Sequence, residues 1–239
     1  SYFLGKKETM RNLVDQTPFS FDPRLLWGET GGRPVYMVAW SMVYIGTAIS
    51  VLFLLGVGLF GDVASDEEVF VGSVFMANAF LMSAAWVPVY QLSALGDNDD
   101  LNWIYTVSTV LIGLCATFAL VAAGFVRSFD RSPGFALFVG VPMGVTAGWL
   151  VVATGISVVQ TVAVYDRRPE KRKVEPEAGW APLICALVCG IAAIAFSNPA
   201  VSVPSVVVVF FLRRHVLRWA ALVVGVIFWL VSCSIVVLD

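Results

Sequence analysis

Catalysis needs ionisable or nucleophilic side chains held close together, and this chain has few where they could work. Its single histidine, His215, lies in the arginine-rich stretch 213–218. A triad would need that histidine beside both a nucleophile and a carboxylate, and nothing in the local sequence points to one. An interfacial loop position is the simplest reading of His215. The others are an axial ligand to a metal-containing tetrapyrrole and a contact to an acidic group on a partner. The four cysteines, Cys115, Cys185, Cys189 and Cys233, match no zinc spacing, and no Cys-x-x-Cys occurs. Cys185 and Cys189 are four apart, so on a helix they share a face and read as small packing residues. No catalytic residue and no metal ligand is assigned.

Of the 239 residues, 59% are hydrophobic and 13% charged, with a formal net charge of −2. Soluble domains carry about 25% charged residues. The deficit is concentrated in long runs such as 34–61, 101–126, 132–165 and 219–238, which contain no Asp, Glu, Lys or Arg. Proton relays and ion pathways need ionisable groups inside the membrane, so pump chemistry is disfavoured. Haem held by two intramembrane histidines has no candidates. There is no basic excess to attract nucleic acid. The expectation is a protein that is not an enzyme.

The apolar runs do contain aromatic and small polar residues suited to binding. Of eight tryptophans, Trp103, Trp180 and Trp219 fall at span ends, where interfacial anchors belong. Trp40, Trp86 and Trp149 sit among aromatic, proline or small residues, and either core packing or a ligand contact suits them. Asn78 lies inside a span, where an amide needs a hydrogen-bond partner, either another helix or a ligand. Pro88 and Pro142 each remove a backbone donor and can free a carbonyl. Gly144 and Gly148 have the four-residue spacing of close helix contacts. The segment from Gly148-Trp149 to Ala153-Thr154 can pack a helix or hold a planar ligand.

Elements that could position these residues follow from the runs. A spanning helix needs about 20 apolar residues. Residues 1–33 read as a polar arm, and 34–238 as a transmembrane domain. Its spans are expected at about 36–60, 70–92, 101–126, 134–164, 179–197, 201–212 and 218–238. The fold class is all-α, a polytopic bundle of six to seven helices. Asn198-Pro199 signals a turn, and the short span after it makes the seventh. With seven spans, the arm and the basic clusters at 167–173 and 213–218 share one side, as the positive-inside tendency favours. Arg127 and Arg131 then fall on the opposite side with the acidic loop 62–68, a misfit to that tendency. Helix 4 either runs the whole of 134–164 or begins nearer Pro142. The runs lack the alternation of a β-barrel.

Three segments resemble the translocator protein, or tryptophan-rich sensory protein, family. They are Trp40-Ser41-Met42-Val43-Tyr44; Asn78 with Ala84-Ala85-Trp86-Val87-Pro88-Val89-Tyr90; and Pro142 with Gly148-Trp149-Leu150-Val151-Val152-Ala153-Thr154. The last, Trp-x-x-x-Ala-Thr, is the most specific. The chain departs from the family after it, with Gly155, Ile156 and Ser157 where an Asn commonly follows. The likeness covers about 34–166 and implies a five-helix core within a longer, divergent relative. It implies a cavity for porphyrins, sterols or related lipids, with Trp40, Asn78, Trp86, Pro88, Trp149, Ala153 and Thr154 at the ligand. The expected function is a membrane-embedded binding protein or carrier for such a planar hydrophobic ligand. The alternative is a non-catalytic subunit of a respiratory or photosynthetic complex, docked through the arm and the loop 166–177. Expected partners are membrane lipids, the ligand and neighbouring subunits, and the expected location is a mitochondrial or plastid membrane.

Overall fold

In lipid, backbone polar groups must be satisfied inside the chain, and a helix does this within one segment. The computed structural model describes residues 33–60, 67–93, 103–165, 180–211 and 216–238. Among these residues there are seven helices and no strands. They are α1 (Arg33–Phe60), α2 (Glu67–Ser93), α3 (Trp103–Val126), α4 (Val141–Tyr165), α5 (Ala181–Ala195), α6 (Val203–Phe211) and α7 (Val216–Leu238). The stretches Glu67–Tyr90, Trp103–Val126, Pro133–Val159 and Trp219–Leu238 are long and apolar enough to cross a membrane, which fits an integral membrane protein. Residues 1–32 of the expected arm, 62–66 of the first acidic loop, the loops 97–100 and 166–177, and His215 lie outside the described residues.

The stretch around α4 is the centre of the bundle. Of its most apolar window, 67% is buried, against 17% for α7. The chain is helical from Pro133, not only from Pro142. Ser132 caps the first turn by accepting from the Phe135 amide (3.3 Å). A π-helical segment, Ala136–Gly140, then leads into α4, with the Val141 amide bonded to the Ala136 carbonyl. The cause lies at Pro142. Its ring has no N–H for the Phe138 carbonyl and would crowd it in a regular helix. A widened turn accommodates the ring. The Ser50 hydroxyl of α1 supplies the missing donor, reaching the Phe138 carbonyl at 2.8 Å. A Cβ built on Gly46, one turn before Ser50, would lie 3.2 Å from the Pro142 side chain. The carbonyl freed by Pro142 is therefore taken by a neighbouring helix.

α5 and α6 form a hairpin around the Asn198-Pro199 turn. Ser197 closes it with a left-handed φ of 47°. Asn198 is 1% exposed; its Oδ1 accepts from the Ala200 amide (3.1 Å), and its Nδ2 donates to the Gly140 carbonyl (3.1 Å). Descending α5 lies on α4 through Cys185 and Cys189. Their thiols point at the carbonyls of Val151 (3.7 Å) and Gly148 (3.8 Å), the packing role expected of them. The returning chain meets the same helix. A Cβ on Gly144 would stand 2.6 Å from Asn198 Oδ1, and one on Gly148 would strike the Val201 carbonyl. α6 is nine residues long, about 14 Å, shorter than the ~30 Å core of a bilayer. Gly225 of α7 meets both Val206 of α6 and Ala186 of α5.

α3 packs along α2 on one side and along α4 on the other. Arg131, just past α3, donates to the Val126 carbonyl (3.0 Å), pairs with Glu68 at the start of α2 (3.3 Å) and lies 5.2 Å from the Phe135 ring centre. Its place beside the acidic end of α2 accounts for Arg131, one of the two basic residues that run against the charge pattern. Substituting Gly148 by Ala should destabilise the protein by about 1–3 kcal/mol, since a backbone carbonyl cannot move aside. Gly56→Ala, where nothing lies within 4 Å, should leave the thermal midpoint in detergent unchanged.

Candidate aromatic site

Trp40 and Tyr44 are four apart on α1, and Trp86 and Tyr90 are four apart on α2. Such pairs lie one turn above each other on a helix face. The two pairs meet in a continuous stack. Tyr44 lies on Trp40 (5.9 Å between centres, 27° between planes), Trp40 on Trp86 (5.6 Å, 24°) and Trp86 on Tyr90 (4.9 Å, 27°). Trp149 of α4 stands edge-on to Trp40 (6.2 Å, 89°) and is 3% exposed. These offset-stacked and edge-to-face geometries suit the ring quadrupoles. The ladder is open at one end, where Tyr44 is 51% exposed. A polar tie runs to α3, where Trp86 Nε1 donates to Ser108 Oγ at 2.9 Å.

The structure thus joins Trp40, Trp86 and Trp149, each from a different apolar run. Ala153 lies one turn beyond Trp149 and is partly buried against the core. Thr154 turns away from the rings and donates to Leu150 (2.8 Å) and to the Ile112 carbonyl of α3 (3.2 Å). Asn78 stands two turns from Trp86, is partly exposed and donates to the Val74 carbonyl of its own helix (2.8 Å). Pro88 is exposed; two residues from Trp86, it points to the opposite side of α2.

Three participants escaped the sequence reading. Tyr44 and Tyr90 extend the stack, and the shared Trp-x-x-x-aromatic spacing in two helices was the available signal. Ser108 had none. A hydroxyl seam was also missed. Thr109 bonds both Ser157 and Thr161 (2.8 Å each), Thr161 reaches the Tyr105 carbonyl (3.2 Å), and Thr106 meets Tyr165 (3.2 Å). Thr154, Ser157, Thr161 and Tyr165 are spaced by three, four and four, the mark of one helix face. The seam ties α3 to α4.

The site offers aromatic faces, an indole donor already bonded to Ser108, and no ionisable group beyond tyrosine. Among the described residues no three His, Cys, Asp or Glu side chains gather as metal ligands. The chemistry open to it is stacking and apolar contact. No family model, curated protein or solved structure matches the chain.

Stacked indoles 5.6 Å apart couple electronically, so the protein should show an exciton couplet in its circular dichroism. Trp40→Leu and Trp86→Leu should each abolish the same couplet. Ser108→Ala should keep it while costing about 1 kcal/mol of stability.

Proposed function

We propose that this is a membrane-embedded binding protein or carrier for a hydrophobic, planar ligand such as a porphyrin or sterol, acting through the aromatic ladder. The observation that carries this reading is the meeting of Trp40, Trp86 and Trp149 from three separate runs. Those are the tryptophans of the three segments that resemble the translocator protein family, which we propose as this chain's relatives. The stacked rings touch one another, so the ligand engages the ladder at its open end, beside Tyr44, or by parting two rings. Ala153 gives a small surface one turn from Trp149. Thr154 has a role in joining α3 to α4.

We read the chain as crossing the membrane seven times. α6 is a short return that brings the ends of α4 and α6 to the same side. The basic stretches that follow them, 167–173 and 213–218, then share that side, in keeping with the positive-inside tendency.

The test is a titration in lipid nanodiscs with a tetrapyrrole and, separately, a sterol, read by quenching of tryptophan fluorescence. Binding should saturate at a fixed ratio, and Trp86→Leu or Trp149→Leu should weaken it roughly tenfold, about the worth of one aromatic contact. Unchanged affinity in folded variants would overturn the proposal. So would the absence of binding by a protein that leaves the native membrane only within a large particle, the outcome expected of a complex subunit.

A further inference from the structure

α1 is held along a narrow line. Over residues 40–56 its buried side chains are Val43 and Ser50 (2% and 6% exposed), two turns apart on one face. Elsewhere the helix is open, with Ile45 61% exposed and Leu52 69%. α1 packs along α4 and the π-helical segment, whereas α2 packs along α3. α1 and α2 meet at the Trp40–Trp86 stack.

Among the described residues, one side-chain hydrogen bond from this stretch leaves the helix, that of Ser50 Oγ to the Phe138 carbonyl at 2.8 Å. A hydroxyl has a single proton, and Ser50 has two acceptors within reach. The second is the Gly46 carbonyl of its own helix, at 3.0 Å. The proton therefore has a partner whether α1 is docked or displaced. The Phe138 carbonyl is in a different position, because Pro142, four residues on, offers it no N–H. That carbonyl favours docking, while the Ser50 side loses nothing on release. Release from a dry core is thus reversible on one side and opposed by a single bond on the other.

We infer that Ser50 is the latch of α1, a positioning residue that sets how often Trp40 leaves Trp86. Its link to ligand entry rests on the reading of the ladder as the ligand's place. Tyr44 and Trp40 share α1, and Trp86 and Tyr90 share α2, so the Trp40–Trp86 contact is the one that a helix movement opens. With the hydroxyl on Phe138, Gly46 is seated against the Pro142 side chain and Trp40 lies on Trp86. With the hydroxyl on Gly46, α1 is released from α4, the two rings part, and a flat molecule can enter between them.

The experiment uses the full chain in lipid nanodiscs, with Val43→Cys placing a thiol on the buried line of α1. A small membrane-permeant alkylating reagent is added, and labelling is read by mass spectrometry at position 43 and at Cys189. Cys189 is buried where α5 meets α4, so it reports any general loosening. Ser50→Thr and Ser50→Val have the same shape and differ in the hydroxyl. Ser50→Val should be labelled at position 43 about threefold faster than Ser50→Thr, the factor that one hydrogen bond in a membrane supplies. Labelling of Cys189 should be the same in both. Ser50→Ala should behave as Ser50→Val does, and it replaces that variant if the bulkier side chain prevents folding. Thr47→Val removes a hydroxyl bonded to the Val43 carbonyl of its own helix (2.7 Å) and should change neither rate. Equal labelling with and without the Ser50 hydroxyl, or equal acceleration at Cys189, would overturn the latch. In a second arm, a tetrapyrrole should associate about threefold faster with Ser50→Ala than with Ser50→Thr. Equal association rates in variants that differ at position 43 would show that the latch does not control the rings. A protein that binds no tetrapyrrole, yet opens at position 43 as Ser50 dictates, would uphold the latch and remove the function proposed above.

Discussion

Pro142 leaves the Phe138 carbonyl without a helical donor inside the most enclosed part of the bundle, and the neighbouring packing is arranged around that gap. Ser50 fills it from α1. Two residues on, the Gly140 carbonyl receives the Asn198 amide from the α5–α6 turn. One local break thus fixes both α1 and the C-terminal hairpin to the same face-changing segment. In water such carbonyls could turn to solvent. In hydrocarbon, or in a dry core, each needs a protein donor. Glycines at 46, 144 and 148 permit the close approach that brings the donors within reach.

With α1 held there, its N-terminal half runs past α4 so that Trp40 reaches Trp149. α2 reaches Trp40 through Trp86 while being anchored on α3 through Ser108. The ladder is therefore a consequence of three docking events, each with its own polar tie. α3 is held to α4 by the hydroxyl seam around Thr109. Hydroxyl bonds of this kind are worth about 0.6 kcal/mol each in membranes, so several in series are needed to hold a pair of helices. No ionisable side chain beyond tyrosine lies among the ladder's rings, so what they offer is stacking and apolar contact.

The helices were legible because charge-free runs have sharp ends. Pro133 and Asn198-Pro199 marked a start and a turn, and the structure puts helix ends within a few residues of the expected spans. Cys185, Cys189, Gly144 and Gly148 were legible as packing residues from spacing alone. The π-helical segment was not, since Pro142 signals a break but not how the backbone absorbs it. Trp40, Trp86 and Trp149 could be singled out by their neighbours, yet their meeting depends on helix order and register that periodicity does not encode. Pro88 and Asn78 show the limit of segment likeness. They share a stretch of sequence with Trp86 but lie off its face. Ser108 was hidden because one hydroxyl in an apolar helix looks the same whether it bonds its own backbone or an indole.

The most direct measurement of the central claim is photo-cross-linking in the native membrane with a diazirine-bearing porphyrin or sterol, followed by mapping of the labelled peptides. The account predicts labels concentrated on Trp40–Tyr44 and on Trp86–Tyr90, displaced by unlabelled ligand. Labels spread over the outer faces of α7 and α3, indifferent to competitor, would contradict it and leave the ladder as packing.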